Sequence, residues 1–482
     1  MSVIEPEEFR LEKLEQLKEM GVDPYGRKFP DTRGIGDILD HYEEDEGTTV
    51  RAAGRITNLR AMGKASFIDI KDWTGSIQLF FQLNRLGEEV FEVHNQLEAG
   101  DIVGVEGELT KTRTGEVSIF VDEFEVLSKA LLNPPEKWHG LRDQEKRYRR
   151  RSVDLFTNDE VMERFLQRSR MMHRMRTILR GKGFVEVETP MMQPIPGGAA
   201  ARPFVTHHEA LDMELYLRIA PELYLKRLLV GGMERVFEIN RNFRNEGIST
   251  RHNPEFTMLE LYQAYADYNE IMELTEALIV ELARGVEESL QITYDGQEMD
   301  LSPPWPRKGF WELMDEKLGL GPDDEEGIRE KARELELDGA EDEHPYYLAL
   351  TIFEKCIEDD LVGPVFVKDY PTAVCPLAKA SAENPDVAER FEMYLAGMEC
   401  ANAYSELNDP QEQEERFLHQ VGDEDLQERV DQDFLRALAQ GMPPAGGLGI
   451  GIDRLVMLLT DCQSIREVIL FPLLRPQSQD ED

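Results

Sequence analysis

Residues 234–262 constrain the fold most, because they predict two strands joined by a polar, arginine-rich loop. The chain turns at residues 247–250, between a strand that ends at Ile239 and one that begins at Phe256. Side chains on a strand alternate between its two faces, so every second residue of the outgoing strand shares one face. These residues are Phe256, Met258, Glu260 and Tyr262. The sequence therefore predicts a wall that carries an aromatic ring, a carboxylate and a phenol.

The loop of this hairpin carries more charge than packed strands tolerate, because buried charges must be desolvated. Such a pattern is typical of a site for a charged ligand. Arg244 would hold a phosphate through two hydrogen bonds, Glu246 would accept from an amino group, and Phe256 would stack on a flat ring. A solvated hairpin whose charges pair with one another is the alternative.

The net charge limits the partners that the chain can bind. Its 482 residues suffice for about three domains, and the formal net charge is −42. A surface that binds nucleic acid must then be a basic island in an acidic field. We expect a protein from a salt-adapted organism, because high ionic strength screens self-repulsion. An acidic protein of ordinary habitat is the alternative.

The cysteines and the N-terminal residues indicate a cytoplasmic location. The four cysteines show no C-x-x-C spacing, so the sequence suggests neither a zinc site nor a disulfide framework. The first residues are acidic where a signal peptide would be basic and then apolar. No apolar run approaches the roughly 18 residues that span a bilayer, so we expect no membrane partner.

Residues 1–47 predict a helical N-terminal arm. Leu11, Leu14 and Leu17 have helical spacing, and Gly21 ends the pattern. Prolines and glycines interrupt the rest of this segment.

Residues 48–128 predict five strands with period-two alternation, and a helical stretch between the third and the fourth. This pattern is typical of an OB-fold, a small barrel that often binds oligonucleotides. Phe67 would stack on an unpaired base and Gln78 would hydrogen-bond to its edge. Taken alone, a phenylalanine and a glutamine on a barrel are more often packing and surface residues than residues that read a base.

Residues 129–155 predict a linker with a strongly basic run. Pro134 and Pro135 interrupt regular structure, and residues 146–151 hold five positive charges and one tyrosine. This run would either contact the backbone of a nucleic acid or pair with acidic neighbours.

Residues 156–476 are predicted to form the fourth and largest region of the chain. A long helix should run from Asn158 to Arg180, followed by a strand that ends at Pro190. Residues 265–374 are predicted to form a mostly helical, acidic insertion with further scaffold. Residues 477–482 are polar and acidic, and we expect them to be disordered.

Two further groups of carboxylates predict a cation site and a pocket for an amine. Glu392 and Glu399 lie either on one helical face or on neighbouring elements joined near Gly397, and such a pair suits a hard cation such as Mg²⁺. Asn402, Tyr404 and Glu406 alternate as on a strand. Three carboxylates, of Glu222, Glu260 and Glu406, together with two phenols would suit a long side chain with an ammonium tip.

Residues 446–454 are rich in glycine but do not predict a dinucleotide loop. That assignment would need a preceding strand in a βαβ unit and an acidic residue beyond. Instead the run leads into an apolar helix over residues 455–460. Close backbone approach explains the glycines.

Three segments resemble the signature motifs of class II aminoacyl-tRNA synthetases, and specifically of the lysyl-tRNA synthetase family. Residues 158–190 resemble the first motif, F-R-N-E-G with R-H-N-P-E-F-T the second, and residues 446–454 the third. The resemblance covers nearly the whole chain. It implies an α+β multidomain protein in which an OB-fold barrel precedes a catalytic domain with an antiparallel sheet flanked by helices. The first motif implies a homodimer.

The resemblance also implies roles for individual residues. Arg244 and Arg454 would be catalytic. ATP would contact Arg244, Glu246, His252, Asn253, Phe256, Glu392, Glu399 and Arg454. Mg²⁺ would be held by Glu392 and Glu399. Lysine would contact Gly198, Glu222, Arg244, Glu260, Tyr262, Asn402, Tyr404 and Glu406. Phe67 and Gln78 would read the anticodon of tRNA(Lys).

The chain departs from the family pattern at three positions in the pocket. Ala401 and Ala403 stand where the family usually has glycine, and Tyr404 stands where it has phenylalanine. The expected reaction is attack of the lysine carboxylate on the α-phosphorus of ATP, followed by transfer of the lysyl group to the terminal ribose of tRNA(Lys). An aspartyl or asparaginyl enzyme is a poorer match to three pocket carboxylates. A nucleic-acid-binding protein with a degenerate catalytic half, or a ligase that lysylates a protein, are further alternatives.

Overall fold

The computed structural model describes residues 5–135, 143–286, 289–421 and 430–476. The chain divides into two compact units, Met1–Met162 and Glu163–Asp482. Within the described ranges, no helix is long and apolar enough to cross a membrane. The expected disorder of residues 477–482 concerns residues outside this description.

A closed five-stranded barrel forms most of the first unit. Its strands are β1 (Thr49–Ala61), β2 (Ala65–Lys71), β3 (Ser76–Gln82), β4 (Ile102–Lys111) and β5 (Val117–Ser128). They follow the order β1-β2-β3-β5-β4, in which only the contact of β3 with β5 is parallel. Alternate side chains such as Ile56, Ile68 and Leu79 are fully buried inside. The period-two pattern of the sequence thus forms the predicted OB-fold core.

Short helices surround the barrel in the first unit. They are α1 (Glu8–Glu19), α2 (Ile35–Asp40), α3 (Tyr42–Asp45), α4 (Leu83–Leu86), α5 (Glu88–His94), α6 (Gln144–Arg149) and α7 (Arg151–Thr157). In α1, Leu14 and Leu17 are buried as expected, but Leu11 is exposed. Arg10 is buried instead, because its guanidinium donates hydrogen bonds to Asn133 Oδ1 and to the carbonyl of Ala99.

The basic run between the two predicted domains pairs partly with its own neighbours. Arg147 and Arg151 form ion pairs with the buried Asp154 at 2.8 and 2.7 Å, and Arg149 pairs with Glu145. Lys146 and Arg150 are exposed. Internal pairing therefore accounts for three of the charges, and nucleic-acid contact remains a prediction for the rest.

An eight-stranded mixed sheet forms the centre of the second unit. In sheet order its strands are β14 (Arg307–Gly309), β15 (Val365–Pro371), β16 (Val387–Leu395), β17 (Met398–Ser405), β18 (Ala445–Gly451), β11 (Glu255–Ala264), β10 (Arg235–Phe243) and β6 (Val185–Glu186). The outermost pair on each side is parallel, and the six central strands are antiparallel. The expected antiparallel sheet is confirmed for its centre, and its edges are parallel.

The remaining elements cover this sheet or extend from it. The short strands are β7 (Met192–Gln193), β8 (Val205–His208), β9 (Met213–Leu217), β12 (Gln291–Tyr294) and β13 (Gln297–Asp300). The helices are α8 (Asp159–Gly181), α9 (Glu222–Val230), α10 (Tyr268–Val286), α11 (Phe310–Leu318), α12 (Glu325–Glu334), α13 (Pro345–Cys356), α14 (Pro410–Val421), α15 (Gln432–Leu438), α16 (Ile452–Leu459) and α17 (Ile465–Val468). Two 3₁₀ turns lie at Glu358–Asp360 and Thr372–Val374.

The segment 265–374 differs from its expectation of mostly helical structure. It contains α10 to α13, but also the hairpin of β12 with β13 and the edge strands β14 and β15 of the main sheet. Apolar residues of β12, β13 and β15, such as Ile292, Met299 and Phe366, are buried in the interior.

The two faces of the central sheet have different roles. On one face, Leu259 and Leu261 of β11 and Ile450 of β18 join the main hydrophobic core with helices α10 and α16. On the other face, the alternate side chains of the same strands line a polar cavity. The alternation predicted for residues 256–262 therefore separates core from site.

Replacing Gly107 by alanine tests the packing of the barrel. An added Cβ would lie 2.2 Å from the carbonyl oxygen of Phe120, at an irregular point in the pairing of β4 with β5. We expect a destabilisation of about 1–3 kcal/mol, measured as faster hydrogen exchange of barrel amides. Gly321→Ala, where the added Cβ meets nothing within 4 Å, is the control; equal exchange in both variants would contradict the prediction.

Candidate active site

A cavity of about 470 Å³ lies on the polar face of the central sheet. Strands β11, β16, β17 and β18 and the first residues of α9 and α16 contribute to its walls. The cavity collects all of the residues predicted to bind nucleotide or lysine. They are Gly198, Glu222, Arg244, Glu246, His252, Asn253, Phe256, Glu260, Tyr262, Glu392, Glu399, Asn402, Tyr404, Glu406 and Arg454. Their individual roles stay predictions.

Arg244 and Phe256, both predicted to contact a nucleotide, lie side by side in this cavity. Arg244 follows β10, and its guanidinium lies 5.1 Å from the centre of the Phe256 ring. The Nε atom of Arg244 is buried and has no hydrogen-bond partner among the described residues. A cation with a donor to spare is thus held beside an aromatic ring, as phosphate and a flat base require.

Arg454 and His252 form a second basic group in the cavity. Arg454 Nη1 donates to the carbonyl oxygen of Glu399 at 2.6 Å, and its Nη2 lies 3.1 Å from His252 Nε2. Because arginine only donates, His252 Nε2 accepts, and its Nδ1 then donates to Ser249 Oγ at 2.9 Å. Burial and the nearby Arg454 lower the pKa of His252. The histidine is therefore a neutral group in this arrangement.

Glu392 is held by four donors, two on its own strand β16 and one on each of the neighbouring strands β15 and β17. The hydroxyls of Tyr370 and Tyr394 donate to its Oε2 at 2.7 and 2.6 Å. Its Oε1 accepts from Arg390 and from Asn402 Nδ2. The turn at Ala396 and Gly397 joins β16 to β17, so the interpretation as neighbouring elements is correct and the helical alternative is wrong.

Glu399 is a half-buried carboxylate with raised proton affinity. Burial raises its pKa, and so does the nearby Glu392. Burial and the charges of Glu399 and Glu392 also raise the pKa of Glu358 to about 7. Among the described residues no group of three or more acidic, histidine or cysteine side chains has the geometry of a metal site. Two carboxylates with repelling charges nevertheless fit Mg²⁺, which takes one or two carboxylates and completes its shell with phosphate and water.

The region predicted to bind an amine contains three buried carboxylates, Glu222, Glu260 and Glu406, in two different states. Glu222 and Glu406 both form ion pairs with the buried Lys226, at 2.7 Å in the case of Glu222. Glu260 forms no ion pair with any described residue, and its contacts with Asn242 Nδ2 and the Tyr262 hydroxyl are long, at 3.5 and 3.4 Å. Burial, and next the charge of Glu222, raise the pKa of Glu260 to about 8. Glu260 is thus the carboxylate that lacks a cation.

Glycines at the edge of this pocket make room for its side chains. A Cβ on Gly447 would lie 1.9 Å from Glu406 Oε1 and 2.6 Å from Tyr262 Cε1. Gly198 has a φ of +86°, and an added Cβ would lie 3.0 Å from Glu222 Cβ. The close approach expected for the glycine-rich run is confirmed, although the run forms strand β18 before the helix begins.

The three departures from the family pattern have different consequences. Ala401 and Ala403 are buried in the main hydrophobic core, since they alternate with Asn402 and Tyr404 along β17. The hydroxyl of Tyr404 donates to both carboxylate oxygens of Glu222 at 2.7 Å. The added hydroxyl therefore has a defined partner.

Sequence reasoning missed two charged residues of this region. Lys226 lies one helical turn after Glu222 on α9, and this i, i+4 spacing was an available signal. Arg390 lines the cavity two residues before Glu392 on β16, on the same face of the strand. Neither Lys226 nor Arg390 is conspicuous in the sequence, because lysine, arginine and glutamate are all common surface residues.

The predicted anticodon residues lie on the outer surface of the barrel. Phe67, Phe80 and Phe120 form a row across three strands, with the first two rings stacked at 4.6 Å. In the adjacent row, Ser118 Oγ donates to Gln78 Oε1 at 3.1 Å. The sequence analysis named Phe67 of this half-buried aromatic row but not Phe80 or Phe120.

Two family models match the chain, each over one of these structural regions. Residues 50–127 match the OB-fold nucleic acid binding domain. Residues 143–475 match the class II tRNA synthetases of the D, K and N group. A central antiparallel sheet with arginines and carboxylates on one face, after an OB-fold barrel, thus defines a class II aminoacyl-tRNA synthetase.

Curated relatives narrow the family further. The chain is 54% identical to the lysine–tRNA ligase of Carboxydothermus hydrogenoformans, over 97% of both chains. It is 54% identical to that of Pelotomaculum thermopropionicum, over 97% of this chain and 94% of the relative. It is 52% identical to that of Syntrophomonas wolfei, over 100% of this chain and 99% of the relative. The chain belongs to the lysine–tRNA ligase family.

The Glu260→Gln variant tests the cost of the unpaired carboxylate. Because the folded-state pKa is raised to about 8 from 4.5, the stabilising protonated form is lost as the pH rises through this window. Glutamine does not titrate, so the ligand-free variant should gain stability relative to the natural chain between pH 5 and pH 8, by at most about 1.4 kcal/mol per pKa unit. Hydrogen exchange of β10 and β11 amides, recorded at each pH, measures this difference in stability. Glu255→Gln, at an exposed position of the same strand, should show no such gain, and parallel pH curves for Glu260→Gln would contradict the prediction.

Proposed function

We propose that the chain activates L-lysine with ATP to lysyl-adenylate and pyrophosphate, and then transfers the lysyl group to the 3'-terminal ribose of tRNA(Lys). The observation that carries the proposal is Glu260, a buried carboxylate without an ion pair among the described residues. A substrate ammonium would supply the missing charge, and burial would make the pair selective for a cation. The names of the relatives support the same substrate.

The first step requires positioning more than chemical activation by the protein. The lysine carboxylate is already ionised and can attack the α-phosphorus itself. Arg244 would hold the α-phosphate, and Phe256 would stack on the adenine with Arg454 on its other side. Arg454 would hold the outer phosphates with the neutral His252 beside it, because a guanidinium has five N–H donors and the contacts with Glu399 and His252 engage only Nη1 and Nη2.

Several residues complete the two substrate sites. Glu246 and Asn253 would seat the nucleotide. Gly198, Asn402 and the hydroxyl of Tyr262 would surround the lysine, with Glu222 and Glu406 on the pocket wall. Glu392 and Glu399 would hold Mg²⁺, which supplies charge neutralisation for the phosphates when bound.

An aspartyl or asparaginyl specificity is the nearest competitor, because the matching family model includes these enzymes. Their substrates carry an anion or an amide on the side chain. A pocket with three carboxylates and one buried ammonium would repel the anion and leave Glu260 unpaired against the amide. The electrostatics therefore favour lysine.

Other expectations from the sequence stay predictions. A homodimer is supported by exposed apolar side chains along residues of the first motif and the loop after it, such as Val185, Met191 and Met192. A cytoplasmic location and a high-salt habitat rest on the sequence alone.

ATP–pyrophosphate exchange with each of the twenty amino acids tests the substrate. We expect exchange with lysine only, because lysine supplies the cation that Glu260 lacks. The same assay across a KCl series tests whether the net charge of −42 creates a salt requirement. Exchange that depends on aspartate or asparagine would contradict the proposed function.

Arg244→Ala tests the nucleotide site. The variant should lose at least about 100-fold in lysine-dependent exchange, because a positioned charge on the transferring phosphoryl group is lost. The matched control is Arg241→Ala, a half-exposed arginine of β10 that pairs only loosely with Glu255, at 3.7 Å. It should keep nearly full activity, and an active Arg244→Ala variant would remove the assigned role.

Phe67→Ala tests the barrel surface. Loss of a stacking platform costs about 1–3 kcal/mol per base, so kcat/KM for tRNA(Lys) aminoacylation should fall about 5- to 150-fold. Lysine-dependent pyrophosphate exchange should stay unchanged, because that step needs no tRNA. Tyr25→Ala, another exposed aromatic of the first unit, serves as the control, and an equal loss in both variants would contradict base stacking at Phe67.

A further inference from the structure

Lys226 is a fully buried cation of the protein beside the proposed lysine pocket. Its side chain has no exposed surface, and its Nζ lies 2.7 Å from Glu222 Oε1 and also pairs with Glu406. The same Nζ lies 5.5 Å from the centre of the Tyr404 ring. A lysine of the chain is thus bound by two of the carboxylates that face a substrate lysine.

Lys226 offsets part of the negative charge of the pocket. Glu222, Glu260 and Glu406 are all buried, and the charge of Glu222 raises the pKa of the other two. Without a nearby cation, buried carboxylates that lie close together tend to bind protons and become neutral. Lys226 offsets one negative charge, and the Tyr404 hydroxyl satisfies Glu222 further. Glu260 is left for an incoming ammonium.

Lys226 acts through its partners and not by contact. It is absent from the residues that line the cavity, whereas Glu222 and Glu406 both line it. Glu222 lies on α9, and Glu406 lies in the segment after β17. The ammonium group that they share therefore also fixes the distance between the two carboxylates.

We propose that Lys226 is a positioning residue for lysine selection, which supplies the counter-charge of Glu222 and Glu406 and holds both side chains in place while leaving Glu260 to the substrate. The proposal rests on the proposed function. It predicts that loss of the charge at this position weakens lysine binding selectively and makes it depend on pH.

The pH dependence follows from the groups around Glu406. These are Glu222 and Lys226 of α9, Glu260 and Tyr262 of β11, and Tyr404 of β17. Burial raises the pKa of Glu406 to about 8, and Lys226 acts against this rise. Without Lys226 the pKa of Glu406 rises further, so this carboxylate ionises, and can attract an ammonium, only at a higher pH than in the natural chain.

Lys226→Met removes the charge while keeping a long side chain. In lysine-dependent pyrophosphate exchange near neutral pH, we expect the KM for lysine to rise at least about tenfold, with the KM for ATP within about twofold of the natural chain. The profile of lysine KM against pH should move upward by about one unit. Equal changes in both KM values, or an unshifted profile, would overturn the proposal.

Two further variants separate charge from packing. Lys226→Arg keeps the charge, so its pH profile should stay in place even where altered geometry raises the KM for lysine. Lys129→Met removes another buried lysine, which lies 2.7 Å from Asp101 Oδ2 in the barrel unit, and should reduce stability with the lysine KM and pH profile unchanged. A shift with Lys226→Arg as large as that with Lys226→Met would overturn the charge argument.

Lysine-dependent exchange in the natural chain distinguishes a failure of this proposal from a failure of the proposed function. Absence of lysine-dependent exchange in the natural chain overturns both proposals. Exchange in the natural chain combined with an unselective effect of Lys226→Met overturns only the role of Lys226. Should Lys226→Met fail to fold, Lys226→Arg and direct lysine titration of its folded protein carry the test, since an upward-shifted pH profile there contradicts the proposal.

Discussion

The pairing of β11 with β18 is the interaction on which the catalytic unit depends. Both strands contribute one side to the main core and the other side to the cavity. Glycines in β18 let the side chains of Tyr262 and Glu406 lie directly over that strand. A side chain at Gly447 would occupy the space of both, so the same local sequence that allows the pairing also allows the pocket.

Burial makes the electrostatics of this pocket strong. Carboxylates removed from water must be paired, protonated or matched by a ligand. The structure shows the first solution at Glu222 and Glu406, which share Lys226, and raised proton affinity at Glu260. The apolar face of the sheet offsets the cost of this arrangement, because large buried clusters stabilise the same strands. The site is therefore supported by the core directly behind it.

The two compact units divide the recognition of the substrates by different physical means. The barrel has an apolar interior and an outer row of aromatic rings. Such rings can stack on any nucleobase, because every base has a flat π-face. The catalytic unit instead concentrates arginines and carboxylates in one cavity. In a chain of net charge −42, this cavity is lined by Arg244, whose buried Nε has no hydrogen-bond partner among the described residues, and by Arg454, which donates to the carbonyl oxygen of Glu399.

The sequence by itself determined the elements and the residue types of the site. Period-two alternation separated the core face of β11 from its polar face, and the motif residues lie together as that alternation predicted. Strand period, turn glycines and helix stops are local properties, so they can be read from neighbouring residues.

Only the tertiary structure decided how these charges are paired. Tyr404 and Glu222 are separated by 182 positions, and Lys226 joins carboxylates from distant elements. The four donors around Glu392, the orientation of Ala401 and Ala403 into the core, and the strands within residues 265–374 likewise arise from packing between distant segments. Local patterns carry no information on such partners, because burial and ion pairing depend on which surfaces the fold brings together.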